Sequence, residues 1–131
     1  MKARLSVSFA AAVWAICVPA SAHHSFPPVF DAENIIEASG TVTKVAWMNP
    51  HVWIYVDVES EGGEIENWGF ELGSINGLIR HGWSRKSVQV GDEISVTGYR
   101  ARDGSHRGNV KSLVLANGVE LTGISSNPAG N

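Results

Sequence analysis

Along residues 52–59 the chain alternates strictly: Val52, Ile54, Val56 and Val58 fall on one face, Trp53, Tyr55, Asp57 and Glu59 on the other. A period of two marks a half-buried strand, with the aliphatic set as its core face. Glu61-Gly62-Gly63 then reads as a hairpin turn. Residues 64–72 return as a third strand, with Trp68, Phe70 and Leu72 on one side. Upstream, the β-branched stretch 41–47 follows Gly40 and predicts the first strand, and Asn49-Pro50 turns the chain toward the second. Downstream, Ser74 is placed to cap a short helix over 75–81 whose apolar stripe is Ile75, Leu78 and Ile79. Gly77 weakens that helix by about 1 kcal/mol relative to Ala. Gly82 is placed for a C-terminal cap, and Arg80 and His81 suit the negative end of the helix dipole. Trp83 is expected to seal the bottom of the core. After a turn at Gly91-Asp92, residues 93–100 and 109–116 predict two more strands, separated by the loop Arg102-Asp103-Gly104-Ser105.

The order β-β-β-α-β-β is that of an OB-fold, a five-stranded Greek-key barrel with its helix between strands three and four. The expected fold is therefore all-β with one short helix, an OB-like barrel over residues 38–121; a small mixed sheet has the same order. Ahead of it, His23-His24-Ser25-Phe26-Pro27-Pro28 opens an extended arm over residues 23–37, because two prolines lock φ and supply no N–H. The tail, 122–131, is Gly-, Ser-, Asn- and Pro-rich and is expected to be disordered.

The first 22 residues change the composition of what remains. Lys2 and Arg4 precede a mostly apolar run, and Ala20-Ser21-Ala22 has the small-x-small pattern of a signal peptidase site. The apolar run is too short for a comfortable span, so cleavage leaves no stable membrane anchor. Ile16 stands before Cys17 where a lipoprotein signal wants a small residue. Cleavage after Ala22 leaves 109 residues with a net charge of −5 and no thiol, a chain suited to an oxidising compartment, periplasmic or secreted. Its length excludes multi-domain enzymes, and a domain of that size buries about 65% of its unfolded surface. The acidic balance argues against a nucleic-acid partner.

The pattern His23-His24-Ser25-Phe26, Gly40-Thr41-Val42 and Asn49-Pro50-His51 resembles a family of small exported bacterial proteins of unknown function. Trp68 with Glu71, Leu78 with Gly82-Trp83, Gly91-Asp92 and Arg102-Asp103-Gly104-Ser105 extend the resemblance over about residues 22–121. It implies export and a small β-rich fold, and it carries no reaction. The OB-fold itself suggests binding by analogy only.

Two places could hold chemistry. Cleavage would make His23 the N-terminal residue, so that its amine and ring, with His24 and with His51 from the folded body, form a nitrogen ligand set. Such a set suits Cu(II) best, with Ni(II) and Zn(II) behind, and resembles the histidine brace of copper proteins in ligand type. The plain alternative is an exposed arm, with His51 capping a turn or packing beside Trp47. The second place is the outward face of the second strand, where Trp53 and Tyr55 lie two residues apart. Arg100, Arg102 and Arg107 surround the loop that borders this face in OB-folds and could hold an anion or carboxylate. The alternative there is that Phe26, Val29 and Phe30 cover both aromatics.

Ser105-His106 has no nucleophile elbow and no third member at a recognisable spacing. The acidic hairpin of Asp57, Glu59, Glu61, Glu64 and Glu66 matches no calcium loop and reads as solubilising. The sequence leans to a non-catalytic exported binding module whose partner is an unknown small ligand or protein. The alternative is a copper carrier or sensor built on His23, His24 and His51, with an oxidative copper enzyme as a further version of that site.

Overall fold

A computed structural model describes residues 29–124. The expected signal segment, His23 and His24, the arm as far as residue 28 and the tail from residue 125 lie outside the described residues. The elements run β1 (Phe30–Ala46), β2 (Trp53–Glu59), β3 (Ile65–Glu71), α1 (Ile75–Arg80), β4 (Glu93–Ala101), β5 (Arg107–Leu115) and β6 (Glu120–Thr122). β1 pairs with β2 and with β4, β2 with β3, and β4 with β5, all antiparallel. A short parallel pairing of Gly69–Glu71 with Arg107–Asn109 then joins β3 to β5 and closes a ring of five strands. This is the small all-β fold with one short helix that the order of elements predicted.

Two boundaries differ from expectation. β1 begins at Phe30, so residues 30–37, read as the end of the arm, run as strand and pair with β4 from Ile35 opposite Tyr99 onward. Asp31-Ala32-Glu33-Asn34 lie between the Phe30–Ala101 and Ile35–Tyr99 pairs, where the register shifts; from Ile35 on, β4 supplies the pairing and context outweighs propensity. β6 was not expected at all. It is three residues long, and it takes the edge of β5 left open beyond the β3 contact, at Ser112–Val114.

β1 serves both neighbours, pairing with β4 between Phe30 and Thr41 and with β2 between Gly40 and Ala46. Gly40 lies opposite Val58 of β2 and Ile94 of β4. A Cβ there would run into the Asp57 carbonyl, so the strand can pass this close only with a bare backbone.

Inside the ring, Val42, Val52, Ile54, Val56, Phe70 and Leu113 are buried with their neighbours in one core. Full burial of each such side chain contributes about 1.5–3 kcal/mol. Ser74 caps α1 by accepting from the Gly77 N–H at 3.2 Å, and Leu78 of the helix is fully buried in the same core. Trp83 is buried too, and its Nε1–H donates to the Thr122 carbonyl at 2.9 Å, tying the core to β6. A second, smaller cluster joins Phe30, Tyr99 and Ala101, with Trp53 packed against it.

Candidate functional site

The alternation of β2 sends Ile54 and Val56 into the core and leaves Trp53 and Tyr55 half-buried on the other face. Their rings are stacked, 6.5 Å between centroids and 24° between planes. The β2–β3 hairpin sets Trp53 opposite Glu71 and Tyr55 opposite Gly69. Gly69 has no side chain to fill the space beside them; a Cβ there would meet the Tyr55 ring at 3.4 Å and Trp53 at 3.7 Å. Ring closure then brings β5 alongside, and the Gly69 N–H donates to the His106 carbonyl at 2.9 Å.

The result is an open slot of about 340 Å³ floored by Gly69. Trp53 and Tyr55 line it together with Asn67, His106 and Arg107. Lys44 flanks Tyr55, its Nζ 5.2 Å from the ring centroid. Asn67 is fixed by its own amide, which donates to Asp57 Oδ1 at 2.7 Å and to Thr43 Oγ1 at 3.1 Å.

The residues at the start of β5 and just before it are held by contacts of their own. His106 stacks on Trp68 with centroids 5.0 Å apart, and its Nε2 lies 3.5 Å from Glu66 Oε2. The Arg107 guanidinium donates through Nη2 to Asp103 Oδ2 at 2.7 Å and through Nε to Ser105 Oγ at 3.0 Å. Ser105 Oγ in turn donates to Asp103 Oδ1 at 2.6 Å. These bonds, those from Ser105 first, hold the Asp103 carboxyl down at about 2. The Ser105 hydroxyl is thus committed to Asp103, and not to its sequence neighbour His106.

The expected ligand residues separate into two groups. Trp53 and Tyr55 come together in the slot; Arg100 and Arg102 do not line it. Arg100 lies over the Trp68 ring, 5.4 Å from its centroid. Arg102 donates through Nε to the Phe30 carbonyl at 3.1 Å and pairs with Asp31 at 3.4 Å. Arg107 of the same loop is the one that reaches the aromatic face. Asn67, Gly69 and His106 were not singled out as site residues. The glycine is a readable signal, because a glycine inside a strand marks close approach. As for the cover by the arm, Phe30 builds the small cluster against Trp53, yet among the described residues Trp53 and Tyr55 both remain partly open.

His51, just before β2, has its Nδ1 2.7 Å from Glu71 Oε1. Glu71 is one of two buried polar side chains among the described residues, with Asn109. Burial pushes its carboxyl up, against the opposing pull of His51 and Arg107. Among the described residues no three His, Cys, Asp or Glu side chains gather to hold a metal. A copper site of the expected kind therefore draws on His23 and His24, outside the described residues.

Fold and site together define a small β-barrel with an aromatic slot on its outer wall. Residues 11–111 match a family of unknown function, DUF6152, and the chain belongs to that family. No curated protein matches the sequence.

Proposed function

We propose that this chain is an exported bacterial binding module without catalytic activity, periplasmic or secreted, whose ligand seats on the Trp53/Tyr55 face. One observation carries the reading: a stacked aromatic pair stays partly open on rigid strands, with a glycine floor leaving room beside it. The polar groups around the slot support binding over catalysis. Arg107 is locked to Asp103 and Ser105, and His106 is stacked on Trp68 beside Glu66, so each is held as a fixed contact at the edge of the slot. Export rests on the N-terminal signal pattern and the thiol-free remainder.

The test is chemical-shift mapping of a fragment library against the full chain. Fragments are expected to perturb Trp53, Tyr55, Gly69 and Arg107 together, and the double variant Trp53→Ala/Tyr55→Ala to abolish this. Perturbations scattered over the surface, or focused elsewhere, would overturn the reading.

The copper reading keeps one supporting observation. A carboxylate on one ring nitrogen of a histidine is the usual outer partner of a metal-binding histidine, and Glu71 stands in that place beside His51. Protein exported to its own compartment and starting at His23 should then hold Cu(II) well above a free His-His peptide. It should lose that excess in His51→Ala. Peptide-like affinity in the parent protein ends this second reading.

A further inference from the structure

We infer that the slot takes a neutral pyranose ring, its C–H face against Trp53 and Tyr55 and its hydroxyls turned to Asn67 and Arg107. This rests on the binding reading above and adds the ligand's chemistry.

Size comes first. At about 340 Å³ the slot is at the small end of ligand sites, room for one ring or two and not for a long chain. Its aromatic wall is the stacked pair of Trp53 and Tyr55, whose ring planes lie within 24° of parallel, an apolar surface for a flat-sided ligand.

Hydrogen-bonding capacity narrows the choice. Both amide protons of Asn67 are spent on Asp57 and Thr43. Its carbonyl oxygen, without a hydrogen bond among the described residues, can only accept. Arg107 uses Nε and Nη2 internally, which leaves Nη1 to donate. An acceptor and a donor beside an apolar wall call for a ligand that is hydroxylated at its rim and apolar on one face. A pyranose is both, and a plain aromatic ring offers no hydroxyl to either group.

Charge weighs against an anionic ligand. No carboxylate lines the slot, but its one permanently charged lining residue, Arg107, is already paired with Asp103, and Glu66 lies beside His106. The lining therefore offers no unpaired guanidinium to a nucleotide, a uronate or an aromatic carboxylate. All the lining residues except His106 sit on strands, so little ordering is needed on binding.

The experiment titrates the full chain with methyl glucoside, methyl galactoside and N-acetylglucosamine. Glucuronate and indole serve as the anionic and aromatic comparisons, and the Trp53 indole N–H signal as the readout. At least one neutral pyranoside should shift that signal saturably, with glucuronate weaker. Trp53→Ala, followed through the Asn67 side-chain amide and Gly69 amide signals because its own indole signal is gone, tests whether binding elsewhere on the chain survives. Gly69→Ala, which places a methyl on the slot floor at ordinary contact distance from Tyr55, should weaken binding about ten-fold while leaving the melting temperature near the parent's. Pyranoside binding that survives both variants overturns the inference. Indole binding in the slot with no response to any neutral pyranoside overturns it too, and leaves the binding reading standing. Silence at Trp53 to every probe overturns the inference as well, and the binding reading then stands or falls on the fragment mapping.

Discussion

The His51 ring and the Glu71 carboxylate meet at 2.7 Å where β2 begins and β3 ends. The carboxylate is buried and the imidazole partly open, so the pair joins a polar group of the barrel wall to solvent. Burial of an ionised carboxylate is costly unless its partners compensate. Here desolvation outweighs the pull of His51 and Arg107, and the Glu71 carboxyl is raised.

A raised carboxyl binds its proton more tightly in the folded chain than in the unfolded one. Stability is then greatest below the ordinary carboxylate value of 4.5 and declines as pH rises through the folded one. Glu71→Gln should remove that decline, so the gap between parent and variant shifts toward the variant as pH rises. Urea midpoints across the acid-to-neutral range measure it. His51→Ala should push the Glu71 carboxyl higher still, read by carboxyl-carbon NMR titration.

Asp103 behaves in the opposite sense. Its carboxyl is held down at about 2, below the ordinary 3.8, so the stability it lends is present above 3.8 and lost as pH falls through about 2. Asp103→Asn should remove that acid-dependent contribution, and should also loosen Arg107, seen as broadening of its guanidinium N–H signals.

Phe70 is fully buried at the centre of the ring, on the strand that closes it. Phe70→Ala should cost about 3–5 kcal/mol, from lost transfer energy and the cavity left behind. Denaturant unfolding gives the number directly.

Gly40→Ala forces a methyl against the Asp57 carbonyl where β1 passes between β2 and β4. Overpacking of this kind costs about 1–3 kcal/mol, and the same unfolding measurement checks it. Gly69→Ala, with its ordinary contact distances, is the control that should fold as the parent does.

Much of the site could be read from the chain, and the part that could not has a definite cause. The alternation over residues 52–59 placed Trp53 and Tyr55 outward. A turn centred on Gly62 sets Tyr55 opposite Gly69, so both the aromatic wall and the bare floor follow from local pattern. The opposite wall does not. His106 and Arg107 reach the slot through the parallel pairing of β3 with β5, a contact between segments far apart in the chain that leaves no periodic trace in either. The same gap explains the arginines. Their grouping around one loop was plain, but which of them turns toward the aromatics depends on that closure. Arg100 goes to Trp68, Arg102 to Phe30 and Asp31, and Arg107 to the slot. β1 was underestimated for a related reason, since its first half is strand only because β4 pairs with it.

The short β3–β5 pairing has one more consequence. One wall of the slot belongs to the hairpin and the other to β5, so neither half can grip a ligand until the ring is shut. Any molecule that bridges the two walls acts as a clasp on the shortest seam of the ring. It binds the closed form alone and draws the folding equilibrium toward it by mass action. Occupancy and closure would then report on each other: protection of the Gly69 amide from hydrogen exchange would rise with ligand concentration.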